Sequence, residues 1–202
     1  MLTKKKDFVE IDFTGKIKES NEVFDTTIKE NAKGSEDIKA QKICIGEGML
    51  IRGFDEALEG KEIGKNYSVE LEPKRAFGLR DPKLIKTIPI SVFIEQKINP
   101  YPGLILNMDG VIARISSISG GRVITDFNLP LAGKTIIYDF RINGLIEDKE
   151  EKLKALAEFF IGKAEVKIED EKAIIISDKK IEHKMFASKV KELLGLDIEF
   201  KK

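Results

Sequence analysis

The chain carries one cysteine (Cys44), one histidine (His183) and no tryptophan in 202 residues. One of each cannot build a disulfide framework, a structural zinc site or a multi-histidine metal centre within one chain. Neither charge sign is in surplus, since Lys plus Arg is 35 and Asp plus Glu is 35. No net field therefore draws the protein to nucleic acid or to an anionic membrane surface. No apolar run approaches the roughly 20 residues of a membrane span. The basic start Met1 to Lys6 suits a signal n-region, but Asp7-Phe8-Val9-Glu10 stands where an apolar core of roughly 7 to 15 residues belongs. These absences predict a cytoplasmic chain without nucleic-acid or membrane partners. What is present, 42% hydrophobic and 35% charged residues, is enough apolar material for a packed core. The length suits one large domain or two to three small ones.

Charge density changes in steps along the chain. Residues 84 to 128 hold only Lys86, Glu95, Lys97, Asp109, Arg114, Arg122 and Asp126, whereas 148 to 202 are dense in both signs. Residues 1 to 83 read mainly as strands: Phe8 to Ile17, Val23 to Thr27, Lys42 to Ile45, and Tyr67, Val69 and Leu71 alternating with polar neighbours. Met49, Leu50, Ile51, Phe54, Ala57 and Leu58 fall at helical spacing between Gly48 and Gly60 and predict one short helix. From 104 to 127, turns at Met108-Asp109-Gly110 and Ser119-Gly120-Gly121 separate three β-prone runs, the pattern of a three-stranded meander. Ile136 to Ile142 resumes the first region's alternation, so 1–83 and 129–147 form one discontinuous domain around an insert at 84–128. Residues 148–202 read as a small αββαβ domain.

Five motifs stand in order in the first 147 residues: Val9-Glu10-Ile11-Asp12-Phe13-Thr14-Gly15, Val23-Phe24-Asp25-Thr26-Thr27, Ile45 to Leu58, Arg75-Ala76-Phe77-Gly78, and Pro130-Leu131-Ala132-Gly133 to Phe140. Jointly they resemble an FKBP-type peptidyl-prolyl cis-trans isomerase of the SlyD-like branch. The insert resembles an insert-in-flap domain, and the C-terminal region resembles the extension of the long archaeal members. The resemblance implies an α+β fold: an antiparallel half-barrel sheet wrapped on a short helix, with an inserted β-rich flap domain and the C-terminal αββαβ unit. It also implies a prolyl pocket lined by Phe13, Phe24, Leu50, Ile51, Phe54, Phe77 and Tyr138. Phe54 would be the floor, the Ile51 N–H would receive a substrate carbonyl and Asp25 would polarise at the rim. No cofactor and no metal is implied, and partners would be unfolded polypeptides containing X-Pro bonds.

Such a pocket suits the chemistry. Rotating an X-Pro amide costs about 18–20 kcal/mol because rotation breaks C–N resonance. A dry apolar site disfavours the charge-separated planar amide without any covalent step. Departures from the family pattern lie at Phe13 and Phe77, where tyrosine hydroxyls are common, at Phe54, where tryptophan is common, and at Leu129, which replaces the usual histidine. They keep open a second reading, a holdase that has lost useful turnover.

Ile88, Ile90, Val92, Phe93, Ile94, Leu104, Leu106 and Met108 are dense for so small a sheet, and predict an exposed apolar surface that binds unfolded chain. Taken singly, Phe13, Phe24, Phe54 and Tyr138 would read as core; the joined motifs make them pocket. Cys44, between Ile43 and Ile45, reads as an exposed or partly buried strand residue, and His183 and the lysines at 4–6 and 179–180 as solvated. Gly46-Glu47-Gly48 with Gly53 misplaces the third glycine of a dinucleotide fingerprint. The C-terminal domain is expected to mediate a homodimer or hold client protein.

Overall fold

The computed structural model describes residues 1–32, 38–108, 110–162, 164–176 and 184–201. His183, Lys179, Lys180 and Asp109, for which the sequence raised expectations, lie outside the described residues. In chain order the elements are β1 (Phe8–Ile17), β2 (Val23–Thr26), β3 (Gln41–Cys44), α1 (Arg52–Ala57), β4 (Asn66–Leu71), β5 (Ile85–Pro89), α2 (Ile90–Glu95), β6 (Ile105–Met108), β7 (Val111–Ser119), β8 (Arg122–Asp126), β9 (Ile136–Leu145), α3 (Lys149–Phe160), β10 (Glu165–Glu169), β11 (Lys172–Ile176), α4 (Lys184–Leu194) and β12 (Asp197–Lys201). The chain divides into two compact units, one of residues 1–76 with 135–202 and one of residues 77–134.

In the first unit an antiparallel sheet runs in the order β2-β1-β9-β4, and β3 pairs with the start of β1 while β2 pairs nearer its end. Alternation places Ile11, Phe13 and Ile17 of β1 and Ile136, Tyr138, Phe140 and Ile142 of β9 in the core. Helix α1 packs into this face through Phe54 and, just beyond its end, Leu58. Gly53 permits the approach, since a Cβ there would lie 2.6 Å from the Arg75 carbonyl oxygen. The helix is shorter than its apolar spacing predicted, because Asp55 Oδ1 and Oδ2 accept the N–H groups of Gly46 (2.9 Å) and Gly48 (3.1 Å). Those bonds hold the residues before α1 as a turn.

The remainder of this unit is αββαβ. β10 and β11 form an antiparallel hairpin and β12 lies parallel to β11, with α4 as the crossover. Asp148 caps α3 by accepting the Glu151 N–H at 2.8 Å. Leu153 and Leu156 of α3 are fully buried. Lys42 pairs with Glu151 at 3.1 Å and Lys6 with Glu192 at 2.8 Å, joining α3 and α4 to the half-barrel residues.

The second unit has four strands in the order β5-β8-β7-β6, with α2 between β5 and β6. The meander of β6, β7 and β8 is present, but the expected three strands are joined by β5, which pairs with β8. Ile90 and Phe93 lie one turn apart on α2, a period that β-branched neighbours obscured in the sequence. Phe93, Ile115 and Val123 form the small core. Thr125 Oγ1 is buried there without a hydrogen-bond partner among the described residues.

Candidate functional site

An irregularity between β1 and β2 shapes the site. Asp25 lies opposite Gly15 and Val23 opposite Lys16, leaving Phe24 as an extra residue. Such a bulge re-aims side chains; here the Phe24 ring stands edge-on to Tyr138 at 5.9 Å between centroids. Gly15 also pairs with Tyr138 across β9, so Asp25, Gly15 and Tyr138 form one row over three strands. The middle position must be glycine: a Cβ at Gly15 would lie 2.8 Å from both Phe24 Cζ and Tyr138 Cε1. Gly15 stands inside the first motif, but nothing in the local sequence pattern marks this role.

Phe54 stacks on Tyr138 with centroids 4.2 Å apart and planes 9° from parallel. It stands edge-on to Phe13 and to Phe140, each at 5.4 Å. Aromatic pairs of this kind contribute about 0.5–1.5 kcal/mol beyond area burial. Phe13, Phe54 and Tyr138 each expose under a twentieth of their surface, so the rings pack on one another. The accessible edge of the cluster comes instead from half-buried Phe24, Leu50 and Ile51 and from exposed Asp25.

Backbone geometry fixes the approach to Ile51. Its carbonyl accepts the N–H groups of Phe54 and Asp55, both at 3.0 Å, while its own N–H makes no hydrogen bond among the described residues. The turn before it is held by Asp55 on one side and, on the other, by Lys189 Nζ of α4, 2.5 Å from Glu47 Oε2. Neither clamp was read from the sequence; Asp55 follows the glycines it binds by several residues, and Lys189 is remote.

The protein around Asp25 removes water and pushes its carboxyl above the ordinary carboxylate value, opposed by a hydrogen bond from the Thr26 backbone. Burial, then the Asp25 carboxylate, pushes the Tyr138 phenol well above its usual range. Tyr138 is thus a neutral hydroxyl at physiological pH. Cys44, expected at or near the surface, is fully buried, because β3 is covered where it pairs with the start of β1. Among the described residues no group of three or more His, Cys, Asp or Glu side chains could hold a metal ion. No described helix is long and apolar enough to cross a membrane.

Phe77 and Leu129 belong to the second unit, where Phe77 is half-buried and Leu129 is 65% exposed. The predicted client surface needs correction. Phe93 is a core residue, and Ile88, Ile90, Leu104, Leu106 and Met108 pack partly buried against it; Val92 is half-buried and Ile94 alone of the eight is well exposed. Alternation explains the error, since Leu106 and Met108 face inward and Ile105 outward. Exposed Ile105, Ile112 and Leu129, with Pro102 and Pro130, line a groove of about 640 Å³ in this unit.

Comparison with known proteins bears on both units. A family profile described as FKBP-type peptidyl-prolyl cis-trans isomerase matches residues 2–92, and one described as FKBP26, IF domain matches residues 86–131. The short-type peptidyl-prolyl cis-trans isomerase of Methanocaldococcus jannaschii is 33% identical over 70% of this chain and 92% of its own length. The FKBP-type 16 kDa peptidyl-prolyl cis-trans isomerase of Escherichia coli K12 is 33% identical over 48% of this chain and 68% of its own. The FKBP-type peptidyl-prolyl cis-trans isomerase SlyD of Helicobacter pylori J99 is 27% identical over 56% and 63%.

Proposed function

Because the chain belongs to the FKBP-type peptidyl-prolyl cis-trans isomerase family, we propose that it isomerises X-Pro bonds in polypeptides at the cluster of Phe13, Phe24, Leu50, Ile51, Phe54 and Tyr138. The row of Asp25, Gly15 and Tyr138, together with an Ile51 N–H that makes no hydrogen bond among the described residues, carries the assignment. A prolyl ring at the accessible edge would meet apolar surface that disfavours the planar, charge-separated amide. The Ile51 N–H would hold a neighbouring carbonyl, and Asp25 would stabilise the twisted amide at the rim. Nothing in this scheme needs a cofactor or a covalent intermediate.

The exposed groove of Ile105, Ile112 and Leu129 would hold unfolded chain on the same polypeptide as the cluster, and such tethering raises effective concentration, to roughly mM for a short tether. We divide the molecule into an isomerase domain (1–83 with 129–147), a chain-binding insert (84–128) whose groove Leu129 completes from the returning segment, and a C-terminal domain (148–202), acting in the cytoplasm. A homodimer through the C-terminal domain is supported by Phe200, 45% exposed on β12, and Met185, 67% exposed on α4.

Refolding of a proline-limited protein with substoichiometric amounts of this one tests the proposal. Acceleration of the slow phase in proportion to added protein, weakened by Phe54→Ala or Asp25→Ala, is the expected result. An unchanged slow phase with aggregation suppressed only at stoichiometric amounts would make the molecule a holdase.

A further inference from the structure

We infer that α3 is one wall of the substrate groove, and that the residues flanking the proline of a bound polypeptide lie against Phe159. A groove of about 830 Å³ has Phe13, Asp25 and Met49 among its lining residues, together with Ala155, Glu158 and Phe159 of α3. Its size falls within the roughly 300–1,000 Å³ of ligand sites. The first three residues belong to the aromatic cluster and the turn that leads to Ile51. The second three occupy positions i, i+3 and i+4 and so form one face of the helix.

This wall is fixed in place. Leu153 and Leu156 are fully buried, and Lys42 pairs with Glu151 (3.1 Å) and Lys39 with Glu158 (3.6 Å) along the helix. Phe159 nevertheless stays 45% exposed, its ring braced edge-on by Phe160 at 4.9 Å. A rigid, half-wet aromatic ring gains from being covered and loses little conformational entropy when it is.

Charge decides what covers it. The lysines of the groove already face carboxylates, Lys39 with Glu158, Lys42 with Glu151 and Lys154 with Glu150 at 3.0 Å. Asp25 has no cation partner among the described residues. Acidic flanking residues would thus meet an uncompensated carboxylate, whereas an uncharged, apolar or aromatic residue would cover Phe159. Resting on the isomerase reading above, α3 is then a specificity element that the half-barrel by itself would lack.

Two dye-labelled peptides of equal length around Leu-Pro, one flanked by Phe and Leu and one by Ser and Gly, test this in the full chain. Anisotropy gives their affinities, and exchange NMR gives the isomerisation rate. Phe159→Ala should weaken the apolar-flanked peptide about five- to tenfold, as loss of a partly buried ring does, and leave the polar-flanked one unchanged. Phe159→Leu should restore most of the difference. An unchanged affinity ratio in Phe159→Ala overturns the inference, as does a wild-type chain that binds neither peptide. Wild-type binding without accelerated exchange instead overturns the isomerase reading, while the effect of Phe159→Ala on affinity still decides the role of α3.

Discussion

Cys44 ends β3 with no exposed surface, and burial, aided by the carboxylates of Glu47, Asp55 and Asp7, pushes its thiol up to about 12. The folded chain therefore keeps a proton that the unfolded chain begins to release near the ordinary thiol value of 9.0. Stability from this site is full below that value and is lost as pH rises toward the folded value, by at most about 1.4 kcal/mol per pH unit. Urea melts between about pH 8 and 11 should show a flatter alkaline limb for Cys44→Ala than for wild type. Parallel limbs would mean that the thiol ionises alike in both states. Gly15 and Cys44 illustrate the same limit at this scale: local sequence names the residue, but only its neighbours across the sheet say what it can tolerate.

Among elements, the segment Ile45–Ile51 matters most, because it delivers the Ile51 N–H, which makes no hydrogen bond among the described residues, and is neither helix nor strand. Asp55 holds it from α1 and Lys189 holds it from α4. Glu47 exposes only 7% of its side chain, so removing its cation leaves a carboxylate poorly solvated. Lys189→Met should cost about 1–3 kcal/mol of stability, less than for a wholly buried pair because Lys189 is itself partly wet. Adding Glu47→Gln should recover part of that loss in a double-mutant cycle. Strictly additive losses in chemical denaturation would show that the two side chains do not act as a pair. The short α1 follows from the same contacts, which spend Met49, Leu50 and Ile51 on a turn although their spacing suits a helix.

At the scale of the whole molecule, two cores of unequal size share one chain. The first unit buries long runs of β1 and β9 and one face each of α1, α3 and α4, while the second rests on Phe93, Ile115 and Val123 and keeps inside a Thr125 hydroxyl with no hydrogen-bond partner among the described residues. A core that small opens at lower free energy. Native-state hydrogen exchange should find β1 and β9 amides protected up to global unfolding, and those of β7 and β8 released by a cheaper opening. Equal protection in both units would mean that they unfold as one.

Much of this was legible in the sequence: the strands of the half-barrel, the β6–β8 meander of the charge-poor segment, the αββαβ order of the C-terminal region and the aromatic residues of the cluster. Period, turn residues and charge density are local properties, and they survive without knowledge of partners. The bulge at Phe24, the burial of Cys44, the inward turn of the insert's apolar residues, the clamp on Glu47 and the place of Phe159 in the groove that Asp25 also lines were decided by tertiary structure. Each depends on which residue stands opposite another across a ladder or on a helix far along the chain, and one residue of register reverses the face a side chain presents.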